Sequence, residues 1–238
     1  MTLQLENIVI TGRTFEEYSA FFDLDLENLK GKKVLDCPSG ASSFVATLDK
    51  NDIEAKGVDV IYEFDKDSIE SQGIKSIEKI YKDTSWMDAY KMDFYKSKEN
   101  HRFQRESALK AFISDYNKEN YMLAKLPNLP FENDSFDVIV SSHLLFVYDD
   151  RLDFKFHKNS ILEMLRVAKE VRIFPLVDFK NSRVNEEKNF SPFVYQLLEE
   201  LSNFKCEILK TDFEFQPRAN FYLKIMKKNL EGSHETTI

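Results

Sequence analysis

Two acids are placed where they can do chemistry. Asp36 closes a short apolar run, Lys33-Val34-Leu35-Asp36-Cys37, and a turn of small residues, Pro38-Ser39-Gly40-Ala41-Ser42, follows it. Asp59 closes a second run, Gly57-Val58-Asp59. Backbone N–H groups exposed in a tight turn, a helix start behind them and a carboxylate able to accept from two hydroxyls together suit a nucleoside-like ligand. A third group, Ser141-Ser142-His143 with Tyr148 beyond it, follows the apolar run that starts at Phe136. His143 is the residue there able to take a proton near neutral pH, and Tyr148 the one able to position an acceptor molecule. Arg13 and Tyr18 are placed to close over a ligand from the amino-terminal side. No metal site is expected, because His101, His143 and His157 have no close pair spacing and no cysteine cluster supports them.

These residues need elements to hold them. Thr14-Phe15-Glu16-Glu17 is a capping box and predicts a helix whose face carries Phe15, Tyr18, Phe21 and Phe22. Strands are predicted over Lys33–Cys37, Glu54–Asp59, Tyr121–Ala124, Phe136–Ser142 and Val171–Val177, with helices over Ser42–Leu48, Asp153–Ala168 and Ser191–Leu201. The run Phe136–Ser142, apolar at Phe136 and over Val138–Val140, reads as a parallel strand covered on both faces. Glu207–Lys210 and Phe221–Lys227 lie too close in sequence for a crossover helix, so they should be antiparallel to each other. Residues 60–120 are longer than one crossover requires and read as a helical insertion, with Ala108, Leu109, Phe112, Ile113 and Tyr116 on one face. Arg172 is a charge on an internal strand, either paired or reaching the sheet end. The tail 231–238 is polar and expected to fray.

Composition excludes several partners. The net charge of −8 argues against a protein that wraps duplex nucleic acid or an anionic membrane, either of which needs a broad basic face. No apolar stretch approaches the ~20 residues that span a bilayer. Two distant cysteines, Cys37 and Cys206, form no disulfide framework, so a reducing cytoplasm is the expected compartment. Cys37 reads as a small buried filler.

In order, these pieces resemble the class I S-adenosylmethionine-dependent methyltransferases, in particular those of type 11. Val34-Leu35-Asp36-Cys37-Pro38-Ser39-Gly40 is similar to that family's glycine-rich motif and Gly57-Val58-Asp59 to its second. Leu129-Pro130-Phe131-Glu132-Asn133-Asp134-Ser135-Phe136-Asp137 is similar to its Leu-Pro-Phe loop and following strand, and Glu163-Met164-Leu165-Arg166-Val167-Ala168 to its later helix. The resemblance implies one α/β domain over residues 1–238. Its Rossmann-like sheet would have seven mostly parallel strands, an antiparallel last strand and helices on both faces, with a helical cap over 1–30 and the insertion over 60–120. It implies S-adenosylmethionine as cofactor, bound by Asp36, Pro38, Ser39, Gly40, Asp59, Val60, Leu126 and Ser142. Asp36 would lie near the methionine amino group and Asp59 would accept both ribose hydroxyls. Pro38 and Ser42 stand where the family usually has glycine. Lys125 stands where it usually has an acid facing adenine, which leaves backbone carbonyls of Lys125 and Leu126 for that work.

The expected reaction is methyl transfer to a small-molecule acceptor. One alternative is an inactive protein of this fold that binds S-adenosylmethionine or S-adenosylhomocysteine as a sensor, and a third is an NAD-dependent oxidoreductase. Neither the acceptor nor the oligomeric state is fixed by the sequence.

Overall fold

The capping box at Thr14 forms as its spacing predicts. The Glu17 N–H donates to the Thr14 hydroxyl at 3.3 Å, and the Thr14 N–H donates to the Glu17 carboxylate at 2.7 Å. This pair starts α1 (Phe15–Phe22), whose Tyr18, Phe21 and Phe22 are buried. A computed structural model describes residues 4–5, 8–177 and 190–228. In it α1 is followed by the short α2 (Leu26–Leu29), β1 (Val34–Asp36), α3 (Phe44–Asp49), β2 (Ala55–Asp59), α4 (Lys66–Tyr81), α5 (Lys98–Asp115) and β3 (Tyr121–Leu123). The second half comprises β4 (Phe136–Ser142), α6 (Phe154–Val167), β5 (Ala168–Phe174), α7 (Pro192–Glu200), β6 (Phe204–Lys210) and β7 (Phe221–Lys227). Single 3-10 turns over Val60–Glu63 and Ser85–Ala89 complete the insertion.

The seven strands form one sheet in the order β3-β2-β1-β4-β5-β7-β6. All neighbours from β3 to β5 are parallel, and β7 runs antiparallel to both β5 and β6. This is the mostly parallel sheet with an antiparallel last strand that the resemblance implies. Alternation along the strands supplies two cores. Val138 and Val140 face α1, α3, α4 and α5, whereas Ile139, Val171 and Ile173 face α6 and α7.

Two strands start three residues earlier than the sequence reading places them. β5 spans Ala168–Phe174 rather than Val171–Val177, because α6 runs directly into it and Pro175, with no N–H to give, lies beyond its end. β6 begins at Phe204 rather than Glu207, paired with Lys227 of β7. Arg172 sits on the α1 face of β5. It pairs with Glu170 at 2.5 Å and donates to the Phe22 carbonyl at 2.5 Å, satisfying the carboxyl end of α1. The 231–238 tail lies outside the described residues.

The Leu-Pro-Phe loop has a mechanical explanation. The Leu129 N–H donates to Glu163 at 2.7 Å, and Arg166 pairs with Glu163 at 2.8 Å while donating to the Phe131 carbonyl at 2.8 Å and the Leu129 carbonyl at 3.1 Å. The two motifs are therefore one clamp, fastening the loop to α6 so that β4 enters the sheet in register.

Candidate functional site

The turn after β1 and the end of β2 hold each other. The Gly40 N–H donates to one oxygen of Asp59 at 2.8 Å and the Ile61 N–H to the other at 3.0 Å. Tyr62 donates to the Gly40 carbonyl at 2.6 Å. Gly40 has φ +56°, and apart from its chain neighbours no atom of the described residues lies within 4 Å of where its Cβ would be, so the turn has an open face that a side chain would fill. Each Asp59 oxygen accepts one backbone N–H and retains a further acceptor site. Burial pushes this carboxyl above its ordinary range, against the N–H groups that hold it ionised.

Asp36 is different. It is fully buried, and its carboxylate accepts from the Tyr18 hydroxyl at 3.1 Å and from the Ser42 hydroxyl at 3.0 Å. Burial pushes it up to about 7, against those hydroxyls. Ser42, standing where the resemblance leads one to expect glycine, thus supplies a hydrogen bond to the strand-end acid.

Between the ends of β1, β2 and β4 lies a cavity of about 240 Å³ lined by Pro38, Gly40, Asp59, Ser142, His143 and Tyr148 among others. Residues 8–13 roof it. Ile10 N–H donates to Ser76 at 3.1 Å, Gln72 donates to the Ile8 carbonyl at 2.8 Å, and Arg105 donates to the Gly12 carbonyl at 2.8 Å, so the roof is tied to the insertion helices α4 and α5. Its other side presses on the turn. A Cβ at Gly12 would lie 1.9 Å from the Ala41 carbonyl oxygen, a contact that admits glycine alone.

His143 has φ +57°, a left-handed conformation that histidine adopts more readily than most side chains. Its Nδ1 lies 2.6 Å from the Ser142 hydroxyl. Desolvation, then Arg13 and Arg105, hold this imidazole well below its ordinary value, so it is neutral at pH 7.

A second cavity of about 190 Å³ adjoins the first and shares Thr11, Arg13 and His143 with it. The insertion supplies Tyr81, Trp86, Tyr95 and Arg105, and the loop between β6 and β7 supplies Phe215 and Gln216. Behind its wall, Arg105 is ion-paired with Glu17, which also accepts from the Tyr95 hydroxyl at 2.5 Å.

Of the residues singled out in the sequence, Pro38, Gly40, Asp59, Ser142, His143 and Tyr148 meet around one cavity, as do Arg13 and Tyr18. Asp36 stands behind Tyr18, and Ser39 is buried under the turn against Gly57. Val60 and Leu126 are outside the lining, where Ile61 stands instead, and Leu126 is packed in the core of the α6 face. Lys125 is exposed. Arg105, Trp86 and Phe215 carried no signal in the sequence, since nothing local distinguishes them from ordinary helix and loop residues. His157 is structural, accepting from the Phe146 N–H at 2.9 Å. Among the described residues no group of acids, histidines and cysteines is placed to hold a metal, and no helix is long and apolar enough to cross a membrane.

The sheet defines a Rossmann-like α/β protein, and its first cavity lies at the carboxyl ends of its strands. The chain belongs to the same family as the uncharacterized protein MJ0045 of Methanocaldococcus jannaschii, to which it is 33% identical over 236 residues, covering 94% of this chain and 99% of that one. No family model matches it. Among solved structures, it is 12% identical to the magnesium protoporphyrin IX methyltransferase of Synechocystis PCC 6803 crystallised with S-adenosylmethionine, over 90% of this chain and 78% of that one, with a TM-score of 0.45. It is 15% identical to the PH0226 protein of Pyrococcus horikoshii OT3, over 90% and 91% of the two chains, with a TM-score of 0.45.

Proposed function

We propose that this protein transfers a methyl group from S-adenosylmethionine to a small-molecule acceptor. Asp59 is the observation that carries the reading: a carboxylate at the end of β2, fixed by two backbone N–H groups and keeping acceptor sites toward a cavity, suits a pair of ribose hydroxyls. The open face of Gly40 admits a ligand against the backbone. When bound, S-adenosylmethionine supplies an electrophilic methyl carbon on a sulfonium. The remaining task of the chain is positional, because a nucleophile placed in line with that carbon needs a base only when it carries a proton. His143 stands where the two cavities meet. Its Nδ1 is engaged by Ser142, so Nε2 is the ring atom left for an acceptor.

Titration calorimetry with S-adenosylmethionine, S-adenosylhomocysteine and NAD tests this. Saturable binding of the first two is expected, weakened at least about tenfold in Asp59→Ala by loss of charge-assisted hydrogen bonds. Asp59→Asn, which keeps the acceptor oxygen, checks that any loss is not misfolding. Binding of NAD alone overturns the reading in favour of an oxidoreductase.

A second reading, a binding protein without transfer activity, has one observation in its favour. Tyr18 stands between Asp36 and the cavity, so this acid is withheld from a ligand's amino group unless α1 shifts. Transfer of a labelled methyl group to any member of a metabolite extract excludes it, whereas cofactor binding with no transfer across such extracts supports it.

A further inference from the structure

The second cavity speaks to the acceptor, and the inference drawn from it rests on the methyl-transfer reading above. We propose that this cavity binds a small planar aromatic molecule bearing an anionic hydrogen-bond acceptor, of the aryl carboxylate class.

Its walls are rings. Phe215 stacks on Tyr90 with centroids 4.8 Å apart and on His101 at 4.9 Å, and Trp86 meets Tyr90 edge-on at 5.5 Å. Such walls favour either a flat ring, by offset stacking and edge contacts, or a cation held over ring faces. Size limits the choice to small molecules, since an apolar cavity of about 150 Å³ holds a single benzene and this one is about 190 Å³.

Charge then separates the ring from the cation. The charged side chains on the wall are Arg13 and Arg105, and among the described residues no carboxylate lines it. Glu17, the nearest acid, is committed behind the wall to Arg105, the Tyr95 hydroxyl and the Thr14 N–H. One glutamate against two arginines leaves one positive charge uncompensated. The two imidazoles on the wall add nothing to it and take nothing away, because both are held neutral by burial. A cationic guest would meet that excess charge.

Two buried donors also lack acceptors. Among the described residues, Arg105 Nε and Gln216 Nε2 have no hydrogen-bond partner, and both residues belong to this cavity and not to the first. Buried donors are normally satisfied, so a pair left open in one lined space calls for an acceptor from the ligand. A carboxylate offers that acceptor and the compensating charge in one planar group, and its ring satisfies the walls.

Trp86 is the only tryptophan of the chain and lines the cavity, so its emission reports occupancy directly. The full chain is titrated, with and without S-adenosylhomocysteine, against 4-hydroxybenzoate and 2-naphthoate, against their amides, and against tyramine and 2-naphthylmethylamine. The carboxylates should alter Trp86 emission at concentrations about tenfold below those of the amides, with the amines weakest. Phe215→Ala should abolish the response, and Gln216→Leu should narrow the gap between carboxylate and amide while leaving S-adenosylhomocysteine binding intact. Amines binding as well as carboxylates, amides equal to carboxylates, or no response from any of the six would overturn the proposal. Calorimetry with S-adenosylhomocysteine keeps the two readings apart. If it binds while the rings do not, the acceptor class fails alone; if the carboxylates bind and it does not, methyl transfer fails and the aromatic site stands.

Discussion

The two adjoining cavities each have a fully buried carboxylate behind them, and the two acids are displaced in opposite directions. Asp36, behind the first cavity, has hydroxyl partners and, among the described residues, no cation, and burial pushes it up to about 7. Glu17, behind the aromatic cavity, is equally buried, yet Arg105 and Arg13 outweigh the desolvation and hold it below its ordinary value. The difference follows from construction. The first cavity is built by strand ends and the turns between them, where backbone N–H groups and hydroxyls do the holding. The second is built by helices brought together from distant parts of the chain, where a buried ion pair joins α1 to α5.

The largest effect is expected from breaking that ion pair. Glu17→Gln leaves the buried Arg105 and the partly buried Arg13 with no counter-charge and removes the capping-box carboxylate, and should cost about 3–5 kcal/mol in urea unfolding. The double variant Glu17→Leu with Arg105→Leu removes both charges and should cost less than Glu17→Gln alone, since uncompensated burial rather than the lost attraction dominates. A double variant less stable than the single one would show that the pair itself holds α5 in place.

Next in size is a pH effect of the opposite sign for the two acids. A carboxyl whose pKa is raised on folding stabilises the fold fully below its unfolded value near 3.8 and loses that contribution as pH rises to about 7. The stability of the wild type relative to Asp36→Asn should therefore fall between pH 4 and 7, by up to about 4 kcal/mol, and level off above. Glu17, lowered on folding, contributes above its unfolded value of 4.5 and loses that contribution as pH falls through its folded value. Urea titrations of wild type, Asp36→Asn and Glu17→Gln across this range check both signs. A difference for Asp36→Asn that does not vary with pH would mean that Asp36 is solvated and already ionised.

The contrast also explains what could be read from the chain. β4 was legible to the residue, and α1 to its first residue, because a cluster of β-branched apolar residues and a capping box are local signals. Gly40, Asp59, Ser142 and His143 were legible because a sheet brings successive strand ends to one edge whatever the side chains between them. Trp86, Arg105 and Phe215 were not. They come from a 3-10 turn, a helix and a hairpin loop, and their meeting depends on how α4 and α5 pack on the sheet. Asp36 is an intermediate case: its position was legible, but its burial behind Tyr18 depends on where α1 docks. β5 was displaced in the reading because no loop separates it from α6, so the sequence has no turn residues to mark its start.

Residues 8–13 touch both cavities, and Gly12→Ala tests whether they are coupled. The added Cβ, 1.9 Å from the Ala41 oxygen, forces backbone away from backbone. A cost of about 1–3 kcal/mol in thermal unfolding is expected for such overpacking. Because Thr11 and Arg13 line both spaces, weaker binding of S-adenosylhomocysteine should accompany a change in Trp86 emission. Loss at the first cavity with Trp86 unchanged would show the roof to serve one cavity alone.

The smallest expected effect belongs to Tyr18→Phe, and it separates the two functions of that hydroxyl. The ring packs against Phe44 with centroids 4.5 Å apart, and phenylalanine keeps that contact. What is lost is the donor to Asp36, worth about 1 kcal/mol for a buried bond of this kind. Losing a donor to the ionised form makes the carboxylate harder to form, so the Asp36 titration should move up and the fall in stability with pH should extend to higher pH. Ligand binding gives the second readout. If Tyr18 merely covers Asp36, binding of S-adenosylmethionine in Tyr18→Phe is unchanged or tighter, because the acid is freer to meet an amino group. If the hydroxyl itself holds the ligand, binding weakens while the pH response shifts as described, and the wall between Asp36 and the cavity becomes part of the site.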